Sequence, residues 1–183
     1  MDMFKILAIS GSLRAHSSNT EVLRAAAILA PPSVRVSLYS GLASLPHFNP
    51  DLDGDGAVPP DAVQDLRSQV AEADGLLICS PEYAHGVPGA LKNALDWLVS
   101  GAEILAKPIG LLNASPRSTI AQASLAETLR TMSTVLVAGA SLELPLGGRR
   151  GDAASIAADP DLARVLGAAL EAIASAAADY RRR

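Results

Sequence analysis

The chain has 183 residues, a formal net charge of −4 and a single cysteine. A chain of this length can bury a core without disulfides or a structural metal, so we expect one domain over residues 1–183. The lone Cys79 excludes an internal disulfide framework and a cysteine-ligated iron–sulfur cluster. Basic residues cluster only at Arg181 to Arg183, which does not favour nucleic-acid binding.

The N-terminal residues carry neither a basic leader nor a long apolar stretch. Nowhere does the chain contain an unbroken run of about twenty apolar residues, the length that a membrane-spanning helix needs. We therefore expect a cytoplasmic protein that does not associate with a membrane.

Apolar runs alternate with helical patterns along the chain, which is typical of a parallel sheet covered by helices on both faces. The predicted strands cover 4–10, 34–40, 75–80, 108–114 and 135–144, and the predicted helices cover 19–29, 61–72, 88–99, 120–132 and 160–180. Between the second strand and the second helix, the stretch 41–60 contains four prolines. It is too long for a minimal connection, so we expect a functional or interfacial role.

Two loops of different composition follow the first and third predicted strands. Loop A, residues 11–19, contains serine hydroxyls, an amide and Arg14, and it opens a helix whose N-terminus suits a phosphate. Loop B, residues 80–88, is rich in proline, small and aromatic residues, which suit a flat ring. In a doubly wound sheet of order 2-1-3-4-5, the ligand crevice lies between strands one and three. Both loops are therefore predicted to border one site.

Loop A lacks the second and third glycines of a dinucleotide-binding fingerprint and the Gly-Lys-Ser/Thr ending of a Walker loop. A bound nucleoside triphosphate is therefore not expected. Taken alone, loop A is equally consistent with an ordinary serine-rich helix cap.

Three segments carry a more specific signal in combination. They are Gly11-Ser12-Leu13-Arg14 with Ser17 and Asn19, then Ser80-Pro81-Glu82-Tyr83, then Pro88-Gly89-Ala90-Leu91-Lys92-Asn93-Ala94-Leu95-Asp96-Trp97. This combination resembles the NAD(P)H-dependent FMN reductase family. The resemblance implies a flavodoxin-like three-layer α/β sandwich with a five-stranded parallel sheet in the order 2-1-3-4-5. It also implies non-covalent FMN, NAD(P)H as co-substrate, a small-molecule acceptor such as a quinone, flavin, azo compound or chromate, and a homodimer or homotetramer.

The resemblance also implies roles for single residues. Those implied for the FMN phosphate are Ser12, Arg14, Ser17, Asn19 and Thr20. Those implied for the isoalloxazine edge and the ribityl chain are Pro81, Glu82, Tyr83, Ala84 and His85, with Ser115 approaching the ring from the other side. Since the cofactor carries the chemistry, no catalytic side chain and no metal are expected.

Loop B departs from the family's usual Pro-Glu-Tyr-Asn-x-Ser-x-Pro, because Ala84 replaces the asparagine and Gly86 replaces the serine. The losses are tolerable if backbone N–H groups contact the polar edge of the ring, which is the interpretation we favour. Other roles stay open: a lid on the core for Tyr83, a substrate or solvent contact for His85, and capping of backbone groups or a contact across a subunit interface for Glu82.

On the predicted helix over 88–99, Lys92, Asn93 and Asp96 are expected on a solvated or inter-subunit face, and Trp97 in the core or an interface. The acidic segment Asp51-x-Asp53-x-Asp55-Gly56 matches the opening of an EF-hand loop. Its twelfth position is Ala62, and two prolines interrupt it, so an acidic surface loop is expected instead.

The main alternative function is a non-enzymatic, flavodoxin-like FMN electron carrier. Such carriers usually present a strongly acidic face, whereas acidic residues here exceed basic ones only slightly, 19 to 15. A hydrolase or transferase would need a nucleophile or an acid–base pair, and none is evident. The reductase is therefore the favoured hypothesis.

Overall fold

All strands of the central sheet run parallel. The computed structural model describes residues 3–54, 56–144, 146 and 151–182. The strands are β1 (Phe4–Ser10), β2 (Val34–Leu38), β3 (Gly75–Cys79), β4 (Pro108–Asn113), β5 (Val135–Leu136) and β6 (Leu142–Glu143). Their order is β2-β1-β3-β4-β5, and β6 also pairs with β4. The predicted order 2-1-3-4-5 is confirmed.

Helices cover both faces of this sheet. They are α1 (Ser18–Ile28), α2 (Asp61–Glu72), α3 (Gly89–Leu98), α4 (Thr119–Thr131), α5 (Ala153–Ala158) and α6 (Pro160–Arg181). Strand side chains alternate between two apolar cores, one shared with α2, α3 and α4 and the other with α1, α5 and α6. This arrangement is the predicted three-layer sandwich. None of the described helices combines the length and the apolar character needed to cross a membrane.

The predicted strand over 135–144 is wrong in its continuity, because a 3₁₀ turn at Ala138–Ala140 divides it into β5 and β6. The turn places the fully buried Ala140 against β4 at Gly110. A Cβ added at Gly110 would lie 2.9 Å from the Ala140 Cβ and 2.7 Å from Ile173 Cδ1 of α6. Tertiary packing against small residues therefore replaces part of the strand ladder at this edge.

Helix α5 was not predicted, so the expected total of five helices is one short. It has only six residues, too few to show a clear apolar period. Side-chain oxygens hold its N-terminus: Asp152 accepts a hydrogen bond from the Ser155 N–H at 2.9 Å, and Glu21 of α1 accepts one from the Ala153 N–H at 2.9 Å. Local capping and a contact with α1 thus stabilise a helix that composition alone does not predict.

The long connection over 41–60 is fastened to α3. The Asn93 Oδ1 atom accepts a hydrogen bond from the Phe48 N–H at 2.7 Å, and Asn93 Nδ2 and Trp97 Nε1 both donate to the Pro46 carbonyl, at 2.9 and 2.8 Å. Trp97 is fully buried, which confirms the core expectation. The solvated or inter-subunit position expected for Asn93 is wrong, because its amide satisfies the backbone of this connection.

Asp53, from the segment that resembles an EF-hand opening, is a structural anchor. Its Oδ1 atom lies 2.7 Å from Arg67 Nη2, and its Oδ2 atom accepts a hydrogen bond from the Ser100 hydroxyl at 2.5 Å. Arg67 also donates to the Trp97 carbonyl at the end of α3. Both carboxylate oxygens of Asp53 thus fasten the connection, one to Arg67 of α2 and the other to Ser100 just beyond α3, while Asp55 lies outside the described residues.

Candidate functional site

Loops A and B meet where β1 and β3 end side by side. The Gly11 N–H donates to the Cys79 carbonyl at 2.9 Å. A Cβ added at Gly11 would lie 2.3 Å from Ser80 Oγ and 2.8 Å from Ser80 Cβ, closer than atoms can approach. Only glycine therefore lets the two loops come this near. Their meeting point is the place where the strand order reverses, the usual ligand crevice of such sheets.

The N-terminus of α1 retains free hydrogen-bond donors. Ser17 occupies the N-cap position and is only 4% exposed, yet its side chain makes no capping hydrogen bond. The described residues supply no acceptor for the N–H groups of Ser18, Asn19 and Thr20. The alternative of an ordinary serine cap therefore does not hold for Ser17. This helix end keeps the donors and the partial positive charge that bind an anion.

Other polar groups of loop A hold the loop in shape. The hydroxyls of Ser10 and Thr20 are 2.8 Å apart, and Ser12 Oγ accepts a hydrogen bond from the Arg14 N–H at 3.3 Å. The Arg14 side chain is exposed, and it makes no ion pair within the part of the chain that the structure describes. Its guanidinium is therefore available to a ligand at the helix end.

A cavity of about 290 Å³ lies beside Arg14 and is bordered by Ser17, Glu21 and Asp152. Two contacts satisfy the Glu21 carboxylate: Arg24 Nη1 at 2.5 Å and the Ala153 N–H at 2.9 Å. Because Arg24 balances its charge, Glu21 opposes an anion near Arg14 less than an unpaired carboxylate would.

Asn19 is oriented by a buried thiol. The Cys79 S–H donates to Asn19 Oδ1 at 3.2 Å, and burial raises the pKa of Cys79 to about 12. The thiol therefore stays protonated and acts as a donor at ordinary pH. This contact engages the amide oxygen of Asn19 and leaves its NH₂ group free to donate.

Loop B contains a tight two-residue turn. The Tyr83 N–H donates to the Gly86 carbonyl at 3.1 Å, and the Gly86 N–H donates back to the Tyr83 carbonyl at 2.9 Å. Between them, Ala84 and His85 have positive φ angles of 49° and 61°, as in a type I′ turn. The Tyr83 side chain is 55% exposed, so it is not a lid on the core. Tyr83, Ala84 and His85 all face solvent on this loop.

The turn leads to a stability prediction. Ala84 adopts a left-handed conformation that asparagine tolerates better, so Ala84→Asn should raise the free energy of unfolding by about 0.5–1 kcal/mol. The comparison variant Ala84→Val should lower it, because a β-branched side chain is strained at positive φ. Urea unfolding of the three proteins measures the effect. Equal stability of the asparagine and valine variants would contradict the turn geometry.

Glu82 of loop B contacts a helix. Its Oε2 atom accepts a hydrogen bond from the Ala121 N–H in the first turn of α4 at 2.8 Å, while the N-cap residue Ser118 makes no side-chain cap. Capping of backbone groups, one of the roles left open for Glu82, is therefore observed, and the capped group belongs to α4. The structure places this carboxylate at the N-terminus of α4, where it satisfies one of the N–H groups that have no partner within the helix.

Ser115 lies just beyond β4, on the same sheet edge as loop B. The Ser115 N–H donates to Asn113 Oδ1 at 3.0 Å, and Asn113 Nδ2 donates to the Ser118 carbonyl at 3.4 Å. Asn113 was not among the predicted site residues, yet it is 5% exposed and shapes the turn that carries Ser115. A polar residue at the end of an otherwise apolar strand was the signal that could have identified it.

Known proteins share both the sequence pattern and the fold. The NAD(P)H-dependent FMN reductase of Pseudomonas aeruginosa is 40% identical over 116 residues, which are 62% of this chain and 61% of that protein. The NADPH:quinone oxidoreductase of Arabidopsis thaliana is 38% identical over 115 residues, which are 61% of this chain and 58% of that protein. The chain thus spans about three fifths of these two curated relatives.

Among solved structures, the flavoenzyme NAD(P)H:(acceptor) oxidoreductase FerB of Paracoccus denitrificans matches with a TM-score of 0.76 and 26% identity. The match covers 97% of this chain and 98% of that one. The family model for NADPH-dependent FMN reductase matches residues 4–146, which include both loops and strands β1 to β6. From this match over most of its length, the chain belongs to the NADPH-dependent FMN reductase family.

Proposed function

We propose that the protein is an NAD(P)H-dependent reductase that holds FMN non-covalently between loops A and B and delivers reducing equivalents to a small-molecule acceptor. The observation that carries the proposal is that loop A, which leads into the uncapped N-terminus of α1, meets loop B at one edge of the sheet. FMN combines a phosphate and a flat apolar ring in one molecule, and the two loops offer the matching chemistries side by side.

Loop A fits the phosphate. The N–H groups of Ser18, Asn19 and Thr20, which have no acceptor among the described residues, supply neutral donors at a positive helix end. Arg14 adds a fixed charge with a planar set of donors. The hydroxyls of Ser12 and Ser17 complete a set that needs no metal ion.

Loop B fits the ring. Pro81 and Tyr83 offer flat apolar surface, and the Tyr83 side chain is exposed rather than packed in the core. The N–H groups of Glu82, Ala84 and His85 have no acceptor among the described residues, so they can donate to the polar edge of the ring. Backbone contacts of this kind would compensate for the missing asparagine and serine. Ser115 stands at the neighbouring strand end, where it would approach the ring from the other side.

The residues of this chain would bind and orient the cofactor and the reactants, because bound FMN would itself supply the chemistry of accepting and releasing a hydride. Gly11 sets the distance between the phosphate donors and the ring loop. Glu82, paired with the Ala121 N–H, is engaged at α4 and not free to approach the ring. The exposed Tyr83 leaves one open face where a nicotinamide and an acceptor would bind in turn.

We further propose a quinone as a representative acceptor, because a relative from Escherichia coli that is 37% identical over 97 residues is named quinone reductase. A cytoplasmic location, a single domain over residues 1–183 and a homodimer or homotetramer complete the proposal. The single, protonated and buried Cys79 is compatible with a reducing compartment. Sedimentation of the FMN-loaded protein would determine the assembly.

The experiment is anaerobic reduction of the purified, FMN-saturated protein. Adding NADPH should bleach the yellow absorption band on the timescale of turnover, and a subsequent addition of a benzoquinone should restore it. Bound flavin that stays oxidised would support the electron carrier instead. Protein without affinity for FMN would overturn the proposal.

Replacing Arg14 tests the phosphate loop. Arg14→Ala should weaken FMN binding about tenfold to a hundredfold, because a charge-assisted contact to phosphate is lost. Arg35→Ala is the matched control, since Arg35 is also exposed but lies on β2 outside both loops. Fluorescence titration of FMN gives both affinities. Equal affinities for the two variants would show that Arg14 does not contact the phosphate.

A further inference from the structure

A second cavity lies between α4 and the outer edge of the sheet. Its volume is about 530 Å³, within the range of pockets that bind small molecules. Of the twelve lining residues in the described part of the chain, half are leucine or alanine and none belongs to loop A or loop B. We call it the α4 cavity.

The broken strand ladder borders this space. Strand β5 pairs with β4 up to Ile109, and β6 pairs with β4 from Leu112 onward, so Gly110 and Leu111 fall between the two registers. The Gln122 side chain of α4 donates to the Leu111 carbonyl at 3.2 Å across this gap. Ala123 and Ala126 on α4 and Ala138 in the 3₁₀ turn present only methyl groups. Small side chains on both walls therefore leave the volume unfilled.

The cavity is elongated and has unlike ends. Thr119 and Arg130 both line it and are eleven residues apart on α4, which corresponds to about 16 Å. Among the described lining residues, Arg130 in the last turn of α4 is the cationic one, and Glu143, paired in register with Asn113 at the other end, is the anionic one. The nearest carboxylate partner of Arg130, Glu127, lies 3.6 Å away on an exposed surface, so this pair is weak.

We propose that the α4 cavity binds an elongated apolar carboxylate, such as a medium-chain alkyl carboxylate. The alkyl chain would lie between the alanines of α4 and the leucines of the sheet, where it leaves water. The carboxylate would pair with Arg130, and the far end, beside Glu143, Asn113 and Thr119, accepts only neutral or donor groups. A dianionic ligand is disfavoured because Glu143 would repel its second charge.

The test uses a dansyl-labelled undecanoate as the probe and the FMN-saturated protein, so that the loop A and loop B site is filled. Wild type should give a saturable rise and blue shift of dansyl fluorescence that decanoate reverses and decanol reverses less well. Ala126→Phe, which fills the cavity, should weaken probe binding at least about tenfold. Arg130→Gln should weaken it about fivefold, while Ala168→Phe and Arg164→Gln on exposed positions of α6 should not.

Three results would overturn the proposal. The first is that wild type shows no saturable binding of the probe, and the second is that Ala126→Phe leaves probe binding unchanged. The third is that FMN displaces the probe from protein that was prepared without FMN. If wild type binds no probe and Ala126→Phe changes the sedimentation coefficient, the first of these results also identifies the cavity as a subunit contact. If the protein does not bind FMN, the probe titration still tests the cavity independently.

Discussion

Gly11→Ala is expected to damage folding and cofactor binding together. The new methyl group would lie 2.3 Å from Ser80 Oγ and 3.1 Å from Leu91 Cδ2, so β1 and loop B must separate. Overpacking of this kind should lower the free energy of unfolding by about 1–3 kcal/mol. The same displacement would move the proposed phosphate donors of loop A away from loop B, and FMN affinity should fall at least about tenfold. Urea unfolding and FMN titration measure the two effects.

Gly167→Ala is the matched control. Gly167 lies inside α6, and an added Cβ would have no described atom within 4 Å apart from the neighbouring residues and backbone of its own helix. Here the same substitution should raise stability by up to about 1 kcal/mol, because alanine has the higher helix propensity, and FMN affinity should not change. Unaltered stability and FMN binding in Gly11→Ala would mean that the two loops are farther apart than the structure places them.

Lys107→Met is expected to destabilise the protein by about 2–4 kcal/mol. Lys107 is 2% exposed, and its ammonium donates to the carbonyls of Val70 at 3.0 Å and Ala73 at 2.7 Å, at the C-terminus of α2. Methionine fills a similar volume but leaves both carbonyls without this donor. We expect the free energy lost with these two hydrogen bonds to exceed the free energy gained because a charge is no longer buried. Thermal and urea unfolding would measure the net change in stability.

The pH dependence gives a second readout for Lys107. Burial lowers the pKa of Lys107, so in alkaline solution the unfolded chain holds this proton more strongly than the folded protein. The contribution of this group to stability therefore rises with pH between its folded pKa and about 10.4, its ordinary value. Lys107→Met should lack that rise.

Lys92→Met is the matched control, because it removes only an exposed pair with Asp96 on α3. It should lower the free energy of unfolding by no more than about 0.5 kcal/mol. A comparable loss of stability in both variants would refute the role of Lys107.

The parts of the fold that the sequence predicts are those that depend on local pattern. The apolar runs that became β1, β3 and β4 are buried on both faces, and such runs have few alternatives to a central parallel strand. The positions of loops A and B then follow from the strand order. The element that was predicted least accurately is the strand over 135–144, because packing of Ala140 against Gly110 overrides its strand propensity.

The contacts that the sequence could not predict join residues far apart in the chain. Glu82 caps α4 across 39 positions, Asn93 holds the Phe48 backbone across 45, and the Cys79 thiol orients Asn19 across 60. Each uses a polar atom whose partner is a backbone group or a single side chain, so no periodicity marks it. Only the assembled tertiary structure shows which of the polar residues are committed to the scaffold and which, like Arg14, remain free.

The division of the outer strand into β5 and β6 also affects how the molecule behaves at high concentration. Each piece has two residues, and the 3₁₀ turn between them interrupts the row of outward N–H and C=O groups. This edge therefore offers no continuous row of hydrogen-bonding groups to which a strand of a neighbouring chain could pair. The irregular edge therefore protects the protein against cross-β aggregation when the protein concentration is high.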